Sequence, residues 1–263
     1  MTEKEGRGGA GGNVNRIKQS KNMPPKKHST SLSFIMLLAL LWSGLWALPA
    51  PAAEPVVIWS GPPTVRQVAI TFDDGPSPRY TPKILALLKR YQAHATFFVL
   101  GRKVERYPQL VRAQLRGGNE VGNHTFDHPR LPKIAQPARE AEVERTAVDL
   151  ELLGDQDSAR WIRPPYSAFD DRLKAYVAHT HGRLVLWSLD SGDWRGLDRD
   201  AIVNNVLNRV RPGAIIIFHD SDETDKADRG PTVAALKIIL PALKAAGYRM
   251  VSVSELVGGA NSR

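Results

Sequence analysis

Val68-Ala69-Ile70-Thr71-Phe72-Asp73-Asp74-Gly75-Pro76 is a run of apolar and β-branched residues that stops at two carboxylates, a Gly and a Pro. A short apolar run bounded by turn formers reads as a buried strand. The stretch that follows, residues 81–92 (TPKILALLKRYQ), has apolar side chains at helical spacing, with Thr81 as the expected cap and Pro82 at the first helical position. The same couple recurs down the chain. Strands are predicted at 95–100 (ATFFVL), 120–124 (EVGNH), 161–165 (WIRPP), 183–189 (RLVLWSL), 213–220 (GAIIIFHD) and 248–253 (YRMVSV). Helices are predicted at 108–116, 137–153, near 170–180, around 199–210 and at 232–246. About seven strand–helix units with no linker between them give a parallel α/β architecture over residues 67–257, and counting alone fits a barrel and an open sheet equally.

The ionisable residues are not scattered through this pattern; they sit just after the strands. Asp73 and Asp74 follow VAITF, His124 and His128 follow EVGN, and Arg163 ends WIR. Asp190 follows LVLWSL, and His219-Asp220 follow AIIIF. In parallel α/β folds the carboxyl ends of the strands meet on one face, so five separated segments are expected to share one cleft. Each segment alone also has a plain structural reading: a turn for Asp-Gly-Pro, a stiff surface loop for Arg163-Pro164-Pro165-Tyr166, a turn with a half-buried Trp for Asp190-Ser191-Gly192-Asp193-Trp194.

Chemistry favours the joint reading. Two adjacent buried carboxylates repel and need a cation or a shared proton. His124 and His128, at i and i+4, are expected on one face of a helical turn, close enough to share a metal. With an Asp they form a three-ligand set that leaves positions open, the arrangement of a catalytic metal. Arg163 is placed to pair with Asp73, the Tyr166 amide to face an oxyanion, and His219, beside a carboxylate such as Asp190, to act as a protonated acid.

Taken together, TFDDGP, HTFDH, RPPY, DSGDW and the Ile-x-His of IIFHD resemble the ordered motifs of the polysaccharide deacetylases, carbohydrate esterase family 4, from about Val68 to Leu256. The resemblance implies a distorted (β/α) barrel of about seven parallel strands and a metal-dependent hydrolase. By resemblance Asp74, His124 and His128 are the metal ligands, Asp73 the general base and Arg163 its orienting partner. Likewise the Tyr166 amide is the oxyanion donor, His219 the general acid tuned by Asp190, and Trp194 and Ile217 the walls of the acetyl pocket. The implied substrate is a polysaccharide containing N-acetylglucosamine, peptidoglycan or chitin-like. An O-acetyl esterase acting on xylan, or an enzyme for another non-GlcNAc substrate such as a non-sugar amide, and a silent glycan-binding domain are the alternatives. The implied metal is one divalent ion, Zn2+ first, with Co2+, Ni2+ and Mn2+ also suited to such ligands. Two positions depart from the family pattern: Ser167 where Gly is usual, and Asp170 where Asn is common.

The remaining features bound the setting. Of the net charge of +9, residues 1–53 carry seven Lys/Arg against two Asp/Glu, leaving 29 basic and 25 acidic side chains with no basic block. That distribution argues against a nucleic-acid partner. Cys is absent, which excludes disulfides and thiolate ligands. A basic stretch ending at Lys26-Lys27, an apolar run over 32–48 and Ala50-Pro51-Ala52 have the order of a secretory signal. Cleavage and retention as a short membrane anchor are both compatible with that run, and either Met1 or Met23 serves as the start. Residues 54–66 read as a Pro-rich lead-in, 258–263 as a tail, and 221–230 (SDETDKADRG) more as a solvated loop than as a substrate rim. The enzyme is expected to be exported and to work as a monomer.

Overall fold

The structure, a computed structural model, describes residues 56–154 and 160–258; the signal-like run and its cleavage site lie outside them. Among the described residues no helix is long and apolar enough to cross a membrane. Nine strands make one sheet: β1 (Val57–Ile58), β2 (Gln67–Gly75), β3 (Thr96–Val99), β4 (Glu120–Asn123), β5 (Trp161–Ile162), β6 (Arg183–Val185), β7 (Leu189–Asp190), β8 (Ile215–His219) and β9 (Arg249–Val251). Their order is β1-β6-β5-β4-β3-β2-β8-β7, with β9 also on β2. Every pairing between these strands is parallel.

That order settles barrel against open sheet. β7 ends the order on one side and β6 lies next to the other end, yet only Leu186, Trp187 and Ser188 separate them in the chain. A short tether cannot span an open sheet of this width. The sheet therefore curls until its two sides meet, with Leu186 N–H donating to Ile58 O (2.8 Å) and Ser188 N–H to Ile215 O (3.1 Å). The result is the expected distorted barrel. The predicted strand 183–189 is divided into β6 and β7 at this seam, and the lead-in supplies β1, which raises seven strands to nine.

β2 runs through the centre, buried at every position. Alternate side chains face opposite ways along a strand. Val68, Ile70 and Phe72 join the outer core beneath the helices, where Phe72 stacks on Phe97 with ring centroids 5.0 Å apart. Ala69 packs inward with Phe98, Val185 and Ile215. Thr71 and Asp73 share the inward parity of Ala69, so the barrel interior leads up to Asp73.

The helices fall close to their predicted places: Thr81–Tyr91, Pro108–Arg116, Gln136–Leu152, Asp171–His179, Arg199–Leu207 and Gly230–Ala245. Gly101–Arg106 and Val253–Gly258 are additional short helices. Thr81 does not cap its helix. Its hydroxyl accepts from Ser77 N–H (2.7 Å) and is bonded to the Asp220 carboxylate, and Tyr80 occupies the cap position without a side-chain cap bond.

Candidate active site

Two neighbours on a strand should point to opposite faces, yet both aspartates belong to one site. The register of β2 against β3 shifts between Asp73 and Gly75, and Asp74 has a left-handed backbone, φ 69°. A bulge of this kind re-aims a side chain at a strand end. Asp73 stays on the inward face, where Arg163 Nη1 donates to its Oδ1 (2.7 Å). Arg163 is wholly buried. It donates as well to Thr71 Oγ1 (2.8 Å), Val185 O (3.0 Å) and Leu186 O (3.2 Å), and its guanidinium lies 4.0 Å from the centre of the Phe98 ring. Burial pushes the Arg163 pKa down from its usual range and the Asp73 charge opposes it.

His124 and His128 do not share a helical turn. β4 ends at Asn123 and the chain continues as a loop with Thr125 (φ 71°) and His128 (φ 65°) left-handed. Glu142 on helix Gln136–Leu152 holds this loop by accepting from Phe126 N–H (3.0 Å) and Asp127 N–H (2.8 Å). The imidazoles converge nonetheless: Asp74 Oδ1 lies 3.4 Å from His124 Nε2 and 3.2 Å from His128 Nε2. His124 Nδ1 donates to Arg163 O (2.6 Å), and His128 Nδ1 is hydrogen-bonded to the Tyr166 hydroxyl (3.2 Å). Nε2 is thus the nitrogen that each ring turns toward Asp74.

The donor set fits a divalent cation. Burial, with His124 adding to it, pushes His128 down to about 4, so its imidazole is neutral at ordinary pH. Burial alone would raise the Asp74 carboxyl, but the neighbouring imidazoles, His124 foremost, hold it below the usual carboxylate range. Asp74 Oδ1 is buried with no hydrogen-bond partner. One buried candidate ligand atom from each of Asp74, His124 and His128 thus lies within 4.8 Å of the others. Two imidazole nitrogens and a carboxylate oxygen gathered this closely are a set that a divalent cation can bridge.

Across the cleft stands His219, and here the structure corrects the sequence. Its partner is Asp193, not Asp190: His219 Nδ1 donates to Asp193 Oδ1 (2.8 Å) and its backbone N–H to Oδ2 (2.9 Å). Asp190 instead accepts from Gly192 N–H (2.7 Å) and Trp194 Nε1 (3.3 Å), bracing the turn that presents Asp193. Burial pushes the His219 imidazole down, but Asp193, with Asp74 and Asp73 behind it, lifts it to about 9. Nδ1 being engaged, Nε2 is the nitrogen free to deliver a proton. Tyr166 has φ 59° within a single turn, Pro165–Ser167. Ser167 N–H and Ala168 N–H donate to Pro164 O and Pro165 O, while Tyr166 N–H has no partner among the described residues. Aspartates, histidines, Tyr166, Trp194 and Ile217 all line one cleft of about 840 Å³.

The model of the polysaccharide deacetylase family matches residues 60–185. A peptidoglycan-N-acetylglucosamine deacetylase of Bacillus cereus is 39% identical over 209 residues, 76% of this chain and 92% of its own. The chain belongs to the polysaccharide deacetylase family. A chitooligosaccharide deacetylase of Azorhizobium caulinodans is 36% identical over 190 residues, covering 70% of this chain and 90% of its own. The solved Bc1960 peptidoglycan N-acetylglucosamine deacetylase, in complex with 4-naphthalen-1-yl-N-oxidanyl-benzamide, superposes with TM-score 0.74 at 34% identity, over 80% of this chain and 96% of its own.

In this polysaccharide deacetylase the charged segment 221–230 is not a merely solvated loop. Lys103, itself buried, donates to Ser221 Oγ (2.7 Å), Asp222 O (2.6 Å) and Asp225 Oδ1 (2.5 Å). Arg102 donates to Glu223 O (2.6 Å), and Arg229 to Ser221 O (2.8 Å) and Asp193 O (3.2 Å). Asp222, Glu223 and Asp228 line the cleft as a result. None of Lys103, Glu142, Asp193 or Arg229 was singled out by the sequence; an i, i+3 relation between Asp190 and Asp193 in DSGDW was the one available signal.

The two departures from the family pattern also find places. Asp170 caps helix Asp171–His179 through Leu173 N–H (2.9 Å) and pairs with Arg139 (2.8 Å). Ser167 takes φ 53° immediately after left-handed Tyr166. A left-handed L-residue costs about 1–2 kcal/mol, against about 0.5–1 kcal/mol for the extra chain freedom of Gly. Ser167→Gly is therefore expected to stabilise the enzyme slightly, raising Tm by about 1–3 °C in thermal unfolding; a fall in Tm would show that the serine hydroxyl or Cβ contributes more than its backbone costs.

Proposed function

We propose that this chain removes N-acetyl groups from N-acetylglucosamine units of a wall glycan, peptidoglycan or chitin-like, releasing acetate. One observation carries the reading: a carboxylate pinned by a buried Arg and an imidazole raised by a buried Asp flank the same three-acceptor cluster. Asp74, His124 and His128 would hold one divalent cation, Zn2+ first among the ions such ligands accept, and when bound it would supply Lewis acidity toward the acetamide carbonyl and water. Arg163 occupies Asp73 Oδ1 and leaves Oδ2 to take the proton of the attacking water. The unpartnered Tyr166 N–H donates to the oxyanion. His219 Nε2 gives its proton to the departing amine, so that the C–N bond breaks to acetate and a glucosamine unit. Trp194 and Ile217 flank the acetyl methyl, and the basic, apolar and Ala-x-Ala order of the N-terminus supports an exported enzyme.

The test is acetate release from chitin oligomers, peptidoglycan and acetylxylan, with and without a chelator. Acetate is expected from one or both N-acetylated glycans, with loss of activity on chelation and recovery on adding zinc. Full activity after verified metal removal would sink the mechanism, and release confined to acetylxylan would make it an O-acetyl esterase.

The acid's partner makes a second expectation. A general acid works only while protonated, so the rate falls as pH rises through the His219 pKa of about 9. Asp193→Asn removes the charge that raises it, and the alkaline limb of the kcat profile is expected to move down by about one to three pH units. Asp190→Asn should leave that limb in place. If Asp190→Asn moves it instead, the acid has been given the wrong partner.

A further inference from the structure

Asp220 is the residue after His219, fully buried, and the mechanism does not use it. It does not line the cleft, and its carboxylate faces the turn that carries the two aspartates. One oxygen, Oδ2, is bonded to the Thr81 hydroxyl, which in turn accepts from Ser77 N–H (2.7 Å). The other, Oδ1, is buried with no hydrogen-bond partner. Both lie against Gly75 so closely that a Cβ there would stand 2.2 Å from Oδ1 and 2.5 Å from Oδ2. Asp220 N–H donates to Asp73 O (3.3 Å). The segment 73–77 is thus held at Asp73 by the Asp220 backbone, at Gly75 by direct contact and at Ser77 through Thr81. Leu100 N–H, donating to Gly75 O (3.0 Å), is its counterpart from β3.

Inside that bracket sits Asp74, a proposed metal ligand in a left-handed conformation (φ 69°) that an L-residue does not keep without support from its surroundings. We infer that Asp220 is a positioning residue: packed on Gly75 and tied to Thr81, it fixes the bulged Asp73-Asp74 turn so that the two aspartates point to their separate partners. Asp220 acts as a shape and a hydrogen-bond partner rather than as a charge. Burial, followed by the neighbouring Asp74, pushes its carboxyl up to about 7, in keeping with a group that need not be ionised. The inference rests on the proposed metal site and specifies what sets its geometry.

Its test is the zinc dissociation constant of the full chain, measured by competition with a chromogenic chelator, beside kcat at saturating zinc and the Tm of the metal-free protein. Asp220→Asn, the same shape without a charge, is expected to bind zinc within about threefold of wild type, whereas Asp220→Ala binds about 10–100-fold more weakly. Gly75→Ala, whose new methyl collides with the carboxylate, should also weaken binding. In Gly75→Ala/Asp220→Ala that methyl occupies vacated space, so the two losses should be less than additive. Should Asp220→Ala fail to fold, Thr81→Val cuts the same tie and is read in the same way. Asp220→Ala, or Thr81→Val in its place, binding zinc as tightly as wild type overturns the inference alone. A change in Tm with zinc affinity untouched overturns it too, since that marks a residue serving only the fold. Wild type that binds no zinc removes the proposed metal site, and the inference with it.

Discussion

Asp73→Asn is expected to bind zinc as wild type does and to lose about 10²–10⁴-fold in kcat, the usual contribution of a general base. The substitution keeps the shape of the side chain, and its carbonyl oxygen can still accept from Arg163 Nη1, which now meets Asp73 Oδ1 at 2.7 Å. What it removes is the basicity of Oδ2, the oxygen proposed to take the proton of water, which lies 3.8 Å from His124 Nε2 at the edge of the Asp74-His124-His128 cluster. Asp74→Asn makes the contrast: it touches the cluster itself, where Oδ1 is the atom nearest both imidazoles, and should lower zinc affinity as well as kcat. Acetate release at saturating zinc and a zinc titration separate the two. A near-normal kcat for Asp73→Asn would reverse the division of labour between the aspartates.

Arg163→Met should be the most destabilising single change in the site. The side chain is shut off from solvent and makes four hydrogen bonds, to Asp73, Thr71, Val185 O and Leu186 O. Met keeps much of the volume, so the loss measures electrostatics rather than a cavity. Breaking a buried ion pair by removing one partner costs about 3–5 kcal/mol, because the other charge is left uncompensated. For a domain of this size that is on the order of 10 °C in Tm. Lys should rescue little, since its single ammonium cannot reproduce a fork that reaches a carboxylate and two carbonyls at once. Thermal unfolding of the metal-free protein decides: Arg163→Met within about 1 kcal/mol of wild type would mean that water relaxes into the barrel and compensates Asp73.

The sequence made the succession of elements legible because apolar period and turn residues are local signals, and the helices at 108–116 and 136–152 fall within a residue or so of where they were read. Barrel closure was not legible. It depends on β6 and β7 pairing with different neighbours, and nothing in RLVLWSL marks the break. The proposed metal ligands were readable as a set since Asp, His and His are residue types that together suit a divalent cation. Their backbone was not: an i, i+4 pair suggests a helix, but left-handed Thr125 and His128 bring the rings together from a loop that Glu142 secures from a distant helix. The exchange of Asp190 for Asp193 has the same origin. Asp190 ends β7 and Asp193 lies three residues on, and which of them meets His219 is decided by the left-handed turn at Gly192 (φ 76°). The charged loop was misread because its anchors, Lys103 and Arg229, are basic residues whose burial no local pattern announces.

The seam between β6 and β7 has a consequence for the enzyme outside its chemistry. Because the sheet is closed by the chain itself, it offers little open border to another molecule. The terminal strands of the order, Val57–Ile58 and Leu189–Asp190, are two residues each, and β9 adds three. Long unpaired strand borders are what template intermolecular β-pairing, and very short ones are a common defence against it. The short tether between β6 and β7 thus also leaves only short strand borders on which another molecule could pair.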